Sequence, residues 1–479
     1  MRSVARIASP VIAFILAYLL LQGFGPTKAL VGATFAATVI LWITELMPLA
    51  VTALLSTSAL VLVAGVKDKE AFAAYGDPII PLFIGSFLLA RAMELSGLSD
   101  RFAYQMMRMR WANSPAGLLL ALAVVGCSLS LLISNTAVTA MMLPIGLSVL
   151  STVERRSQTP YAVAVMLTLT WASSVAVGIP VGTPPNLIGR GLIEKATNVR
   201  ISTLQWMGFA MPITIVVLLV SWGILWVMFG KGAPKTEAAG TEARTRLREM
   251  GPMRQSEKVV LLSFCLALFL WILPSLAEMV FDKKAPATLW LQGRVTEAVA
   301  ALVAASLLFL LPAKDRPSGR ALTWTEGTQI EWGTILLFGG GIALGQALFS
   351  SGLAKDLGDI AARASGAHSL WSITALCIAA SIILSELASN TAAATTLVPV
   401  AIGLAQGAHV SPIAPALGAA IGASFGFMLP VSTAPNAIVY SSGLVPAKDM
   451  MRAGILLDVV GFVSIFVCLR IFLPMLGLA

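Results

Sequence analysis

Two short polar tripeptides interrupt otherwise apolar stretches of this chain: Ser134-Asn135-Thr136 within ISNTAVTAMMLPI, and Ser389-Asn390-Thr391 within ASNTAAATTLVPV. Each is followed by a second interruption, GTPPN from Gly182 to Asn186 and STAPN from Ser432 to Asn436. The spacing is nearly constant. Asn135 and Asn390 lie 255 residues apart, as do Pro144 and Pro399, and as do Ser96-Gly97-Leu98 and Ser351-Gly352-Leu353. Thr44-Glu45 and Thr296-Glu297 are 252 apart, and Asn186 and Asn436 are 250 apart. The chain is therefore a duplication with small insertions and deletions. Paired breaks in paired repeats imply one site assembled from two halves.

Composition sets the environment. Hydrophobic residues make up 57% of the chain and charged residues 11%, and several apolar runs approach the roughly 20 residues that cross a bilayer. This is the signature of an all-α polytopic membrane protein embedded in a lipid bilayer, expected in the inner membrane. The net charge of +9 does not point to nucleic acid, because the basic residues are dispersed in short loops and not gathered on one face. They report orientation. With Arg2 and Arg6 cytoplasmic, the inside receives Arg101, Arg108, Arg110, Arg155, Arg156, the seven basic residues from Lys231 to Lys258, Lys314, Arg316, Arg320, Lys448 and Arg452. The outside receives Lys28, Lys67, Lys69, Lys195, Arg200, Lys283, Lys284, Arg294, Lys355 and Arg363. Nineteen inside against ten outside satisfies the positive-inside rule.

The spans expected on this basis are 10–24, 29–45, 48–66, 78–99, 161–200 broken near 182, 207–229, 258–281, 293–311, 330–352, 412–445 broken near 433, and 453–476. That gives 11 crossings with the C-terminus outside. The charge balance holds only if segments 116–151 and 369–407 each enter and leave on one side, so they are expected to be re-entrant hairpins with a tripeptide at each tip. The first would enter from the cytoplasm and the second from outside, an inverted-topology repeat. The N-terminal run VIAFILAYLLL is taken as a span and not a signal peptide, because no convincing small-residue cleavage site follows it. Segment 231–257, of mixed charge with Gly and Pro, reads as a cytoplasmic linker between a first repeat, 1–230, and a second, 258–479.

Chemistry-bearing clusters are scarce. Cys127, Cys265, Cys377 and Cys468 lie in apolar segments without ligand spacing, and His368 and His409 fall at the aqueous ends of the second hairpin. No nucleophile is paired with a base and no phosphate loop is present, so an enzyme is not expected, nor is an organic cofactor. The breaks themselves carry the chemistry. Unpaired backbone at membrane depth costs several kcal/mol per group, so it persists where it lines a cavity or holds a ligand. An Asn carboxamide offers donors to a carboxylate and an oxygen to a cation, and Ser and Thr serve either. A helix that starts at a tip aims its positive end at an anion, while one that ends there presents carbonyls suited to Na⁺. Gly182 permits unusual backbone angles, Pro184, Pro185 and Pro435 interrupt the helix, and Asn186 and Asn436 can satisfy freed backbone groups. With no Lys or Arg at the tips, a buried dianion would be balanced by dipoles and co-bound cations.

At these residues the chain resembles the divalent anion/Na⁺ symporters, which include bacterial dicarboxylate transporters, and the likeness covers nearly the whole sequence. The resemblance implies that Asn135, Thr136, Asn390 and Thr391 contact the carboxylates of a dicarboxylate anion. Thr183 and Pro184 of the first break, and Thr433 and Ala434 of the second, would stand beside them. It further implies one sodium site at Ser130, Ser134, Asn135 and Gly182, and another at Ser385, Ala388, Asn390 and Ser432. Members are homodimers that work as elevators, which implies a scaffold of 1–110 and 258–368 and a mobile transport part of 111–230 and 369–479. Two positions depart from the family pattern: Ala434 replaces a common proline, and Ser385 a common threonine. The activity implied is Na⁺-coupled uptake of C4-dicarboxylates such as succinate, fumarate or malate. An Na⁺-independent dicarboxylate or citrate exchanger, and an Na⁺-coupled sulfate transporter, stand as alternatives. Of the acidic residues near the spans, Glu45 and Glu297 are expected to cap helices or hold domain contacts, and Glu386, four residues before Asn390, is the candidate for a cation relay.

Overall fold

The computed structural model describes residues 2–153, 159–233, 237–281, 285–365 and 369–478. Arg155, Arg156, Lys235, Lys283, Lys284 and His368 lie outside them. The protein is all-helical, and the helix breaks fall where the polar motifs stand. The first hairpin is Pro115–Ser130 and Asn135–Val153, and the second is Leu370–Leu387 and Asn390–Gly407. The first broken span is Pro160–Ser174 and Pro184–Thr197, while the second is Ile413–Gly422 and the shorter Ala434–Ser441. Among the described residues, eight helices are long and apolar enough to cross a bilayer. The helices of the first hairpin, Ile413–Gly422 and Leu49–Leu62 are apolar but shorter.

The repeats interlock by exchanging partners. Ile79–Ser96 of the first packs on Glu297–Leu310 of the second, and Trp332–Ser350 of the second packs on Leu49–Leu62 of the first. Both crossings are closed by glycine. A Cβ on Gly85 would lie 2.7 Å from the backbone carbon of Ala301, and one on Gly340 would lie 2.6 Å from the Cβ of Ala53. Gly85 and Gly340 are 255 residues apart, so the duplication preserved the small-residue contact that lets helices approach closely. The broken spans exchange as well: Pro184–Thr197 packs on Ile413–Gly422, and Ala434–Ser441 on Pro160–Ser174.

Two expectations need correcting. The span expected at 293–311 is two helices, Pro286–Arg294 and Glu297–Leu310, bent by 65°. Thr296 accounts for the restart, because its hydroxyl caps the second helix by accepting from Val299 N at 3.4 Å. The linker 231–257 is not irregular throughout. It contains the helix Glu237–Met250, which packs against Leu98–Met107 and the outgoing helix of the first hairpin. On its outer face Arg246 bonds Glu242 at 2.9 Å and Glu249 at 3.2 Å.

Arg101 ties the linker down. Its Nε donates to Glu257 at 2.9 Å and an Nη to the Gly251 carbonyl at 2.8 Å, and both ionic side chains are buried. Removing one member of a buried pair strands the other charge, at about 3–5 kcal/mol. Arg101→Ala is therefore expected to lower the melting temperature of the detergent-purified protein markedly, and Arg101→Lys by less. A melting temperature unchanged in Arg101→Ala would show that the anchor carries no stability.

Candidate substrate and ion site

Each hairpin tip is built by the same local chemistry. Ser134 and Ser389 cap the outgoing helices, their hydroxyls accepting from Ala137 N and Ala392 N, each at 3.3 Å. Asn135 and Asn390 are then the first helical residues. Five residues upstream, Ser130 donates to Asn135 Oδ1 at 2.7 Å and Ser385 to Asn390 Oδ1 at 2.9 Å. The second tip is tied to its break as well, Asn390 Nδ2 donating to the Ser424 carbonyl at 3.4 Å.

The breaks are held by their asparagines. Asn186 Nδ2 donates to the carbonyls of Val177 at 3.1 Å and Ile179 at 3.3 Å. Asn436 Nδ2 donates to those of Gly426 at 3.1 Å and Leu429 at 3.0 Å. Asn436 Oδ1 also accepts from Thr170 across the repeat boundary at 2.7 Å. Thr183 and Ser424 join the two breaks directly, hydroxyl to hydroxyl, at 3.1 Å. Gly182 is pressed against carbonyls: a Cβ there would lie 2.8 Å from the Ala176 oxygen and 3.2 Å from that of Ser130.

Tips and breaks meet at a cavity of about 550 Å³. Of the residues expected at the site, Ser134, Asn135, Thr136, Thr183, Pro184, Ala388, Asn390, Thr391, Ser432, Thr433 and Ala434 line it. Ser130, Gly182 and Ser385 stand behind its wall, buried. Four helices begin at this wall, at Asn135, Pro184, Asn390 and Ala434. Each brings the partial positive charge of a helix N-terminus, and those at Asn135 and Asn390 also bring first-turn N–H groups, which Pro184, Pro185 and Pro435 lack. The helices ending at Ser130, Ser174, Leu387 and Gly422 leave their last carbonyls available to a cation. No Lys or Arg lines the cavity among the described residues. Anion recognition thus falls to backbone, carboxamide and hydroxyl groups.

Residues 2–479 match the sequence profile of the sodium:sulfate symporter transmembrane region. The chain belongs to this symporter family. A similar family protein is the sodium-dependent dicarboxylate transporter of Staphylococcus saprophyticus, 33% identical over 90% of this chain and 84% of its own length. Its namesake in Staphylococcus aureus strain USA300 is 32% identical over the same shares. Among solved structures, the YdaH transporter of Alcanivorax borkumensis shares the fold, with a TM-score of 0.58 at 15% identity over 91% of this chain and 98% of that one. The protein is accordingly a multi-pass membrane transporter of the sodium:sulfate symporter family.

The cavity wall also carries two carboxylates beyond the residues expected at the site, of which the sequence singles out only Glu45, as a helix cap or domain contact. Glu45 and Glu331 both line the cavity. Glu331 accepts from Ser134 at 3.2 Å, while Glu45 closes the helix Pro26–Thr44 in the left-handed region at φ +46°. Glu386 serves the backbone: its two oxygens accept from Met428 N at 2.8 Å and Leu429 N at 3.0 Å. Asp458, from the last long helix, accepts from Phe427 N at 3.4 Å. Two buried carboxylates therefore satisfy three successive N–H groups of the second break, where no helical partner is available. Glu297 joins its helix to Pro184–Thr197, accepting from Arg190 at 2.6 Å. Glu94 instead pairs with Arg91 at 3.1 Å.

Proposed function

We propose that this protein imports C4-dicarboxylates such as succinate, fumarate or malate together with Na⁺ across the inner membrane. The reading rests on one observation above others: two matched Ser–Asn contacts, at Ser130–Asn135 and Ser385–Asn390, back a single cavity that no cationic side chain among the described residues lines. A dianion there requires compensating charge, and the carbonyls and hydroxyls beside each Asn are of the type that binds Na⁺. Asn135, Thr136, Asn390 and Thr391 take the carboxylates, with Thr183, Pro184, Thr433 and Ala434 shaping the remainder. Ser130, Ser134, Asn135 and Gly182 hold one sodium; Ser385, Ala388, Asn390 and Ser432 hold the other. Each positive charge moved beyond neutralisation of the dianion adds about 2.3 kcal/mol per 100 mV of membrane potential.

In this reading the chain spans the membrane 11 times with its N-terminus cytoplasmic and its C-terminus outside, as the loop charges require. It works as a homodimer in which 111–230 and 369–479 slide against a scaffold of 1–110 and 258–368. The relatives named for sodium-dependent dicarboxylate transport support this substrate class. The test is uptake of radiolabelled succinate into proteoliposomes under an inward Na⁺ gradient, under choline, and under choline with internal succinate. Uptake driven by Na⁺ alone is expected. Uptake that ignores Na⁺ and needs internal dicarboxylate would replace symport with exchange, and Na⁺-driven uptake of radiolabelled sulfate without any uptake of succinate would change the substrate.

A further inference from the structure

Among the described residues, two ion pairs link the transport part to the scaffold, and both lie on one helix. Arg190 donates to Glu297 at 2.6 Å and Lys195 pairs with Asp77 at 2.7 Å. Both basic residues belong to Pro184–Thr197, which starts at the cavity wall. At 1.5 Å per residue, Arg190 and Lys195 stand about 9 and 16 Å along the axis from Pro184. Arg190 is only 4% exposed and is held on both sides, by Glu297 and by Glu194 at 3.0 Å. Thr203 also donates to Glu297, and the Trp271 indole donates to the Glu297 carbonyl at 3.1 Å. These contacts bridge this end of the boundary, beside a cleft lined by Thr203, Trp271 and Glu297.

The inverted repeat supplies a comparison within the same chain. Glu45 matches Glu297, and Glu331, at the start of Trp332–Ser350, matches Asp77, at the start of Ile79–Ser96. In the second repeat, the positions 250 residues after Arg190 and Lys195 are Tyr440 and Val445. The duplication therefore kept the scaffold carboxylate at all four positions but a cation on only one transport helix. Glu45 and Glu331, without an ion-pair partner among the described residues, face the open cavity.

Resting on the elevator reading above, we infer that Arg190 and Lys195 are positioning residues that latch the transport part in the arrangement seen here, and that the mirror-image arrangement has no counterpart latch. By the loop charges, Glu297, Asp77 and Lys195 lie outside, while Glu45 and Glu331 lie inside. The latched state is thus the one open to the cytoplasm. A resting bias of this kind is set by the difference in free energy between the two states, and ligands of equal affinity for both leave it unchanged. To reach the outward arrangement the protein must break both pairs and gains no ion pair in return.

Cysteine accessibility tests this without any substrate. Cys265 is exposed and the other three cysteines are buried, so Cys265→Ser is the background. Val431, 84% exposed at the cavity, and its match Val181, partly buried, are each replaced by Cys and labelled with a membrane-impermeant maleimide from either side. Lys195→Gln is the first variant because that pair is partly exposed and its loss should not unfold the chain. Glu297→Gln is the second. Each is expected to raise outside labelling of Val181→Cys about two- to fivefold, the scale of one partly exposed ion pair, and to lower inside labelling of Val431→Cys. Glu45→Gln is expected to change neither. Unaltered labelling in both latch variants, with unaltered elution in detergent, would overturn the inference. So would an equal shift in Glu45→Gln. Succinate uptake reports separately: its loss with the labelling response intact would remove the substrate assignment alone, and its presence without that response would remove the latch alone.

Discussion

Asn390→Ala is expected to lower the proposed Na⁺-driven dicarboxylate uptake about a hundredfold or more in a protein that still purifies as a folded species. The side chain removed accepts from Ser385 and donates to the Ser424 carbonyl, and it faces the cavity. Losing contacts of this kind at about 1–3 kcal/mol each reaches the factor of a hundred. Ser385 is not stranded, because the Ala423 carbonyl lies 2.8 Å from its hydroxyl. Asn135→Ala loses transport equally but is expected to cost more stability. Ser130 is completely buried and its only hydrogen bond among the described residues is to Asn135, so the mutation leaves a buried hydroxyl without a partner. Melting temperatures and uptake rates of the two variants test both parts. Substantial uptake by either would remove the tips from the site, and a larger loss of stability in Asn390→Ala would contradict the packing described.

The second large effect is expected at Gly182. Alanine there forces a methyl group to 2.8 Å from the Ala176 oxygen and 3.2 Å from that of Ser130. Both atoms are backbone, so the break itself must move. Because Ser130 and Gly182 belong to the proposed first sodium site, Gly182→Ala should raise the sodium concentration for half-maximal uptake at least about tenfold, a distortion worth about 1.4 kcal/mol. Gly182 is matched in the second repeat by Ser432, and the glycine that approaches Ser385 there, Gly426, is a gentler case. A methyl on Gly426 would meet the Ser385 hydroxyl at 3.1 Å and the Ser385 oxygen at 3.2 Å, and a hydroxyl can rotate away. Gly426→Ala is expected to shift sodium dependence by less. Equal shifts would mean that sodium is not held between Gly182 and Ser130.

The interrupted helices were legible because each break places several polar residues within a long apolar run, and because the same interruption recurs about 255 residues later. The interruptions located the tips and breaks, the resemblance to the symporters named the individual residues, and the structure gathers those residues at or behind one cavity. What escaped lacks a local signal. The helix Glu237–Met250 is mostly charged or polar and lies between Gly- and Pro-containing stretches, its apolar face reduced to Ala239, Ala243, Leu247 and Met250, and it is anchored by Arg101, about 150 residues upstream. Glu331 is a single acidic residue before an apolar span, and nothing in its neighbours shows that it faces Ser134, 197 residues earlier. Asp458 sits inside a long apolar helix and gains its purpose from Phe427, 31 residues away. These are tertiary facts, created when distant segments are brought together.

The contact between Thr183 and Ser424 carries a consequence of its own. Each is a hydroxyl, either can be the donor, and both are buried. Such a pair can reverse its polarity by two bond rotations, with no heavy atom displaced. Ser424 also offers its carbonyl to Asn390, while Thr183 adjoins Gly182 at the first break. An ion that drew on the oxygen lone pairs of one repeat would favour one sense of the hydroxyl pair, and the other repeat would register that choice. Cooperative filling of the two sodium sites, seen as a Hill coefficient above one, would then need no rearrangement of the backbone.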